Sequence, residues 1–187
     1  MSAMPDRWIR DRSLQDGMIS PFVDRQVSQG VVSYGLSSYG YDLRVADEWK
    51  VCRKSGNKIL DPKSDSSELF ESSQASSITI PPGTFALGRT VERLKIPRDV
   101  ITICLGKSTY ARLGVVVHVT PFEPGWEGYA TLEISNTSPV PVRVYANEGI
   151  CQVVFFSGEQ CEVDYASRYG RYQGQPARVV LPFVRSS

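Results

Sequence analysis

A glutamate in the middle of a strand-like run is the first candidate for acid–base chemistry. Thr131, Glu133 and Ser135 alternate along the sequence with Leu132 and Ile134. In a β-strand, this alternation places the carboxylate and both hydroxyls on one face and the two apolar side chains on the other. A carboxylate held in a cleft can accept and return a proton, so Glu133 is a candidate general base and acid. A strand whose polar face simply meets solvent is the alternative interpretation.

The segment Gly106–Gly114, which reads Gly-Lys-Ser-Thr-Tyr-Ala-Arg-Leu-Gly, is a second candidate site. Backbone N–H groups at a helix start favour anions, and Lys107 adds a positive charge. If the segment is helical, Ser108 and Arg112 share one face, because they lie four residues apart. The pattern predicts a site for a phosphate or a polar base. A capped helix that only connects two strands is a common alternative.

The same segment predicts one short helix among strands. Ser108 and Thr109 are residue types that suit a helix N-cap. Tyr110–Leu113 is long enough for one turn, and Gly114 suits the C-terminal end of a helix.

Several other catalytic sites are disfavoured by the residue types present. The common zinc deaminases use a His-x-Glu and Pro-Cys-x-x-Cys pattern, but this sequence has one histidine, His118, and no Cys-x-x-Cys pair. No serine lies in a Gly-x-Ser-x-Gly turn, which argues against a Ser-His-Asp triad. The two common glycine-rich phosphate-binding loops are also missing from the sequence. His118 follows an apolar run and is predicted to be a buried, hydrogen-bonded residue.

The elements that must position these residues are predicted to be mainly strands. Short apolar or alternating runs, separated by turn residues, indicate a β-barrel or β-sandwich. The predicted strands are Tyr41–Val45, Trp49–Cys52, Ser77–Ile80, Thr84–Val91, Val100–Leu105, Val115–Val119, Gly128–Ile134, Val140–Tyr145 and Ile150–Phe156.

The N-terminal segment, residues 4–30, is predicted to be helical. Trp8, Ile9, Leu14 and Met18 are spaced loosely as one apolar face, and a glycine and a proline then interrupt the pattern.

Two further segments lack a regular apolar pattern. Residues 62–77 are rich in serine and are predicted to form a surface loop. Asp164–Gln175 combine three tyrosines with two arginines and several glycines, which suits a flexible lid around residues 164–187. The apolar run Val179–Val184 fits either an added strand or a disordered tail.

Length and composition indicate one domain spanning residues 1–187. Hydrophobic residues make up 41% and charged residues 22%, and the formal net charge of +1 argues against a nucleic-acid polymer as the main partner. No run of about 18 apolar residues predicts a membrane span, and the first twelve residues lack an apolar signal core. With four cysteines in no paired spacing, the sequence predicts a cytoplasmic protein with reduced thiols.

Five motifs together resemble those of the bacterial dCTP deaminase family. They are, in chain order, Tyr39–Arg44, Gly106–Gly114, Thr120–Gly128, Thr131–Asn136 and Arg171–Gln175. Their order and spacing are family-like from about Trp8 to Gln175. Two of the motifs are also similar to those of the trimeric dUTPases.

The resemblance implies a distorted, jelly-roll-like β-barrel of the dUTPase type, with an N-terminal helix and a short helix after the Gly106–Ser108 turn. It also implies a homotrimer with active sites at subunit interfaces. The implied substrate is dCTP, accompanied by Mg²⁺ on its triphosphate and without zinc, and dTTP or dUTP are implied as further ligands of the same site. No protein side chain is implied as a metal ligand, and neither a membrane nor a nucleic-acid polymer is an expected partner.

The resemblance also assigns roles to individual residues. The implied catalytic residues are Glu133, Ser108, Arg112 and Thr120. The implied substrate-binding residues are Lys107, Ser108, Thr109, Tyr110, Ala111, Arg112, Glu123, Thr131, Leu132, Glu133, Gln152, Tyr165, Arg171 and Gln175. Arg171 stands where the family usually has a lysine, which keeps the charge but changes the geometry.

The implied reaction is hydrolysis of dCTP to dUTP and ammonia, which supplies dUTP for dUMP and dTTP synthesis. Hydroxide must reach C4 of cytosine, and without zinc a carboxylate must take and return the proton, a role that suits Glu133. Ser108 and the backbone near Thr120 are expected to orient the water, and Arg112 to hold Glu133.

Two other functions remain open on the sequence. A bifunctional enzyme would make dUMP directly from dCTP, with Glu123 activating water against phosphorus. Some family members have an aspartate before the Pro-Gly-Trp turn, in a longer segment, where this sequence has Glu123. A non-catalytic nucleotide-binding module would keep the Lys107–Arg112 loop but would not need Glu133.

Overall fold

The structure is a computed structural model of the chain, and it describes residues 2–53 and 56–182. Within these residues the protein is mainly β-sheet with two α-helices, which confirms the predicted fold class. The helices are α1 (Asp6–Asp16) and α2 (Ser108–Ala111), and Ser67–Leu69 form a 3-10 turn. The strands are β1 (Ser2–Ala3), β2 (Ile19–Ser20), β3 (Gln26–Val27), β4 (Tyr34–Ser37), β5 (Gly40–Cys52), β6 (Phe70–Gln74), β7 (Ser77–Ile80), β8 (Phe85–Lys95), β9 (Val100–Gly106), β10 (Val115–His118), β11 (Glu127–Asn136), β12 (Val142–Tyr145) and β13 (Gly149–Ser157).

Most strands form one antiparallel sheet, in which the principal neighbours run β9-β13-β5-β8-β11-β10. The two end strands approach each other, since a Cβ added at Gly106 of β9 would lie 3.5 Å from the Cβ of Val117 in β10. The sheet therefore curls towards closure, as in a distorted barrel. β7 and β12 form a separate two-stranded sheet.

Alternate residues of the long strands point into the curled sheet and form the core. β11 buries every second side chain, including Leu132 and Ile134, and β13 does the same with Val153 and Phe155. This period-two pattern removes apolar surface from water on one face of each strand. The other face of β11 is left for polar side chains.

The N-terminal helix is shorter than the sequence predicted. α1 ends where Gly17 adopts a left-handed conformation, with φ of 68°, and donates its N–H to the carbonyl of Arg12. Met18 and Ile19 are then buried because β2 pairs with β8. Leu14, expected on the apolar face, is exposed. The prediction of a helix over residues 4–30 is therefore correct for Asp6–Asp16 and wrong for the strands that follow.

The serine-rich segment 62–77 is not a loop throughout. Its second half forms the 3-10 turn and β6, which pairs with β5 from Cys52↔Phe70 to Glu48↔Gln74. Leu69 is buried against the sheet. Main-chain pairing to β5 makes the segment a strand despite its polar side chains, so the prediction of a surface loop was wrong for its second half. The two strands predicted within residues 41–52 are one continuous strand, β5.

Between β13 and residue 182, the chain crosses the sheet without forming a helix or a regular strand. Gln175 makes an isolated parallel bridge to Gly128 at the start of β11. Val179 is buried at 4% exposure. Residues 179–182 do not form the strand that the sequence left open, and residues 183–187, which include the rest of that apolar run and the end of the predicted lid, lie outside the described residues.

Candidate active site

Glu133 lies at the centre of the open face of β11. Its neighbour across β10 is His118, and its neighbour across β8 is Leu87. Thr131 and Ser135 share this face, while Leu132 and Ile134 are fully buried on the other. The alternation predicted from the sequence is therefore confirmed. The side chain of Leu132 points into the core, which leaves only its backbone for a ligand on the Glu133 face.

A cavity of about 380 Å³ opens at this face. It brings together six of the residues that the sequence singled out, although they are spread over more than fifty positions. These six are Thr120, Glu123, Thr131, Glu133, Tyr165 and Gln175. The remaining wall is mostly apolar: Leu87, Val119, Pro121, Phe122, Trp126, Ala130, Tyr172, Val180 and Pro182. A mostly apolar cavity with a few polar groups is typical of a small-molecule site.

The apolar wall changes the acidity of the one carboxylate at its centre. Burial raises the pKa of Glu133 to about 7, and a backbone hydrogen bond at Glu133 offsets only part of this increase. Among the described residues, no arginine or lysine contributes to this pKa. A carboxylate with a pKa near neutrality can both accept and donate a proton at physiological pH, as a general base and acid must.

His118 is exposed rather than buried, so that prediction was wrong. In β10 the buried residues are Val115 and Val117, and the alternation turns Val116 and His118 outward. The apolar run suggested burial, but the alternation places His118 on the face of β10 opposite the core, beside Glu133.

The C-terminal segment closes one side of the cavity. Tyr165 donates its N–H to the carbonyl of Pro124, and its hydroxyl accepts the N–H of Tyr172 at 3.0 Å. The indole N–H of Trp126 donates to the carbonyl of Tyr172 at 2.9 Å. Gln175 accepts the N–H of Tyr129 at 3.0 Å. These backbone and side-chain hydrogen bonds hold the segment Asp164–Gln175 over the Glu133 site.

Two charged residues predicted to bind substrate lie at the edge of this segment. Glu123 lines the cavity, and its carboxylate forms an ion pair with Arg168. Arg171 is exposed in a separate depression, which Tyr165 and Arg168 also line. Arg168 thus lies between the predicted acidic and basic groups.

A second cluster of predicted residues surrounds α2. Lys107 Nζ lies 2.5 Å from Asp42 Oδ2, and Gln152 Nε2 donates to Asp42 Oδ1 at 3.2 Å. Gln26 Nε2 donates to Asp42 Oδ2 at 3.0 Å. Asp42 is 1% exposed, so a buried carboxylate with three donors fixes the side chain of Lys107 at the start of α2.

The helix itself differs in detail from the prediction. α2 spans Ser108–Ala111, and its N-cap is Lys107, with no side-chain cap hydrogen bond. Gly114 follows it with φ of 76°. The side chain of Tyr110 is buried and its hydroxyl accepts the N–H of Tyr145, so Tyr110 offers a ligand on this surface only its backbone. The side chains exposed on α2 and just after it are Ser108, Thr109, Ala111, Arg112 and Leu113.

Within one chain, the α2 cluster and the Glu133 cavity are neighbours but not one site. A shallow groove connects them along β10, and it is lined by Gly106, Ala111, Thr120 and Glu133 among others. The guanidinium of Arg112 donates to the carbonyl of Ser108 at 3.5 Å. Among the described residues, Arg112 does not form an ion pair with Glu133, although the sequence suggested that the two act together.

Some residues of these clusters were not predicted as site residues. Asp42 falls within the Tyr39–Arg44 motif, which could have drawn attention to it, but its role depends on the distant Lys107. Tyr172 and Trp126 lie inside recognised motifs and wall the cavity. Val180 belongs to the apolar run Val179–Val184, which the sequence singled out as a possible strand or tail and not as part of a site.

The described part of the chain shows neither a metal-binding cluster nor a membrane-spanning helix. Residues 2–53 and 56–182 contain no group of three or more His, Cys, Asp or Glu side chains arranged to hold a metal ion. In the same part of the chain, no helix combines the length and apolar character needed to cross a membrane. The four cysteines are free thiols.

Comparison with known proteins gives matches along nearly the whole chain. A protein named dCTP deaminase from Acidobacterium capsulatum is 57% identical over 183 residues, which cover 97% of this chain and 99% of that protein. Another of the same name from Novosphingobium aromaticivorans is 55% identical over 183 residues, with 97% and 99% coverage.

A solved structure shares the fold. The crystal structure of 2′-deoxycytidine 5′-triphosphate deaminase from Agrobacterium tumefaciens superposes with a TM-score of 0.66 at 20% sequence identity. The match covers 83% of this chain and 48% of that one, so this chain spans about half its length. The family model described as dCTP deaminase-like matches residues 3–158. This chain therefore belongs to the dCTP deaminase-like family.

Proposed function

We propose that this protein hydrolyses dCTP to dUTP and ammonia, without a zinc ion. The observation that carries the proposal is the position of Glu133, a carboxylate with a raised pKa in a mostly apolar cavity beside hydroxyls. The relatives that share more than half of its sequence are named dCTP deaminase, which supports dCTP as the substrate.

The proposed chemistry needs one group that takes a proton and returns it. Glu133 removes a proton from water, and the hydroxide adds to C4 of the cytosine ring. Glu133 then returns the proton to the ring, and a second transfer from the added hydroxyl to the amino group releases ammonia. A pKa near 7 suits both directions of transfer. Thr120 lines the same cavity and is proposed to orient the water.

The triphosphate is proposed to bind at the α2 cluster. Lys107, already fixed by Asp42, supplies a positive charge, and the exposed Ser108 and Thr109 supply hydroxyl donors. Mg²⁺ is proposed to arrive with the nucleotide, held by phosphate oxygens, which hard cations prefer as ligands. dUTP and dTTP carry the same triphosphate and are proposed to compete for this cluster.

We further propose that the working enzyme is a homotrimer whose active sites lie between subunits. The separation of Arg112 from Glu133 within one chain supports this, because a second copy could bring an arginine to the carboxylate. Exposed apolar side chains support it as well: Ile103 and Leu105 on β9, Val116 on β10 and Leu113 after α2 are all between 39% and 59% exposed. Leu105 and Val116 line the same groove, and exposed apolar surface of this kind is typical of a protein interface.

Direct conversion of dCTP to dUMP is the second candidate function. It is favoured by one observation, the presence of Glu123 in the same cavity as Glu133. Against it, the ion pair with Arg168 occupies the Glu123 carboxylate, which would have to be free to activate water against phosphorus. We therefore propose deamination alone.

A product assay tests the proposal. The purified protein is incubated with dCTP and Mg²⁺ in zinc-free buffer, and the nucleotides are separated by chromatography while ammonia is measured. Accumulation of dUTP with equal ammonia supports the proposed function. Direct formation of dUMP and pyrophosphate would replace it with the bifunctional one, and Glu123→Gln would then be expected to restore dUTP as the product. Binding of dCTP without turnover would leave a nucleotide-binding module.

A further inference from the structure

The last described residues lie across the open face of the sheet and form part of the cavity wall. The segment 175–182 begins at the edge of β11, where Gln175 pairs with Gly128. Val180 and Pro182 then line the cavity that contains Glu133. Val180 donates its N–H to Thr131 Oγ1 at 3.2 Å, and Thr131 donates its hydroxyl to Gln175 Oε1 at 3.3 Å.

One side chain of β5, the strand beyond β8, anchors this segment. Glu48 of β5 accepts the N–H of Val179 on its Oε1 at 2.9 Å. Its other oxygen, Oε2, accepts from Arg89 Nε at 3.2 Å. Val179 is only 4% exposed. If the Glu48 carboxylate were removed, water could not reach the Val179 N–H to replace the lost hydrogen bond.

Arg89 of β8 orients the carboxylate of Glu48. It lies on β8 opposite Thr131, so it shares the open face with the Glu133 site. Its guanidinium stacks over the ring of Tyr129 at 5.6 Å and donates to the carbonyl of Thr90. Because the side chains of Arg89 and Glu48 are only 18% and 31% exposed, their ion pair is partly shielded from solvent.

We propose that Glu48 is a positioning residue that fastens the segment 175–182 over the Glu133 cavity, with Arg89 orienting its carboxylate. Glu48 does not line the cavity itself; it acts through Val179, which places Val180 and Pro182 in the wall. Without this anchor the segment keeps its contacts at Gln175 and at the N–H of Val180 but loses the hydrogen bond that holds it on the β5 side of the cavity. The consequence for dCTP binding rests on the proposed function, whereas the anchoring does not.

Backbone hydrogen exchange on the full-length protein tests the anchoring directly. In Glu48→Ala, the amide of Val179 is expected to exchange about tenfold faster than in the unchanged protein, because this buried N–H has lost its acceptor. The amide of Val180, whose acceptor is Thr131, is expected to respond less. In Glu48→Gln, the amide oxygen can still accept this N–H, so most of the protection is expected to remain. Asp47→Ala, which changes the neighbouring carboxylate on β5, is the matched control and is expected to leave both amides protected.

Steady-state kinetics on the same variants test the role in binding. Glu48→Ala is expected to raise KM for dCTP about fivefold while kcat falls less than twofold, and Glu48→Gln is expected to recover most of the difference. Unchanged exchange at Val179 in Glu48→Ala would overturn the anchor. Faster exchange with an unchanged KM would overturn its role in nucleotide binding. If the unchanged protein does not convert dCTP at all, the proposed function fails, and the exchange result still decides the anchor.

Discussion

Lys107 Nζ and Asp42 Oδ2 are 2.5 Å apart, and this ion pair links the start of α2 to strand β5. The two residues are 65 positions apart in the sequence. Only 11% of the Lys107 side chain and 1% of the Asp42 side chain are exposed. A buried ion pair of this kind is costly to break, because removal of one partner leaves the other charged and without compensation.

We therefore expect Asp42→Asn to destabilise the protein by about 3 kcal/mol, measured by urea unfolding. Asp42→Asn combined with Lys107→Met should recover much of that loss, because no unpaired charge remains, but it should not recover affinity for dCTP. Asp47→Asn, on the same strand with a more exposed carboxylate, should change the unfolding free energy by less than about 0.5 kcal/mol. Equal stability of Asp42→Asn and the unchanged protein would contradict this account.

Glu133→Gln keeps the shape of the proposed base but cannot take a proton. We expect it to bind dCTP with about the affinity of the unchanged protein and to lose at least about 100-fold in kcat. Binding is measured by calorimetry and turnover by ammonia release. Ser135→Ala, a change on the same face of β11, is the control. A Glu133→Gln enzyme that retains most of its turnover would remove Glu133 from the mechanism.

The pH dependence of kcat/KM should report the pKa of Glu133. Burial raises this pKa to about 7 in one chain, and a base must be deprotonated, so the rate is expected to fall as the pH drops through the pKa. If a second subunit brings Arg112 to Glu133, the positive charge lowers the pKa, and the acidic limb lies below pH 7. Arg112→Met should then move that limb up towards about 7. If Arg112→Met leaves the acidic limb of the kcat/KM profile at the same pH, Arg112 and Glu133 do not meet in the enzyme.

Shared active sites can be tested by mixing two inactive variants. Glu133→Gln and Arg112→Met are each expected to be nearly inactive alone. When the two chains are refolded together, mixed trimers should regain activity, since one interface then combines an unchanged Glu133 with an unchanged Arg112. Each variant refolded alone is the control. Mixed oligomers that form, as seen by native mass spectrometry, but stay inactive would place both residues of a site in one subunit.

The sequence alone predicted which side chains of β11 are buried, because the signal there is local. Strict alternation of Leu132 and Ile134 with Glu133 sets which side chains are buried, whatever the neighbouring strands are. A short helix was likewise predicted from local residue types, over Tyr110–Leu113, and it begins two residues earlier, at Ser108. The mainly β class was also predicted correctly. Five motifs with family-like spacing predicted the dCTP deaminase family, and the chain belongs to it.

Where the prediction failed, pairing with distant strands overrode local preference. Met18 and Ile19 continue an apolar helical pattern, but pairing of β2 with β8 buries them in the sheet. β6 is serine-rich and is a strand because β5 supplies hydrogen-bond partners. His118 ends an apolar run and is exposed because it lies on the face of β10 opposite the buried Val115 and Val117.

Only the tertiary structure decided which of the predicted site residues lie together in one chain and which lie apart. It showed that Arg112 and Glu133 belong to different clusters of one chain, that Asp42 fixes Lys107, and that Glu48 holds Val179. None of these relationships has a sequence signal, because the residues involved lie far apart in the chain and the folding of the sheet decides which of them meet. A sequence determines which residue types face one side of a strand; the curling of the sheet determines which strands share that side.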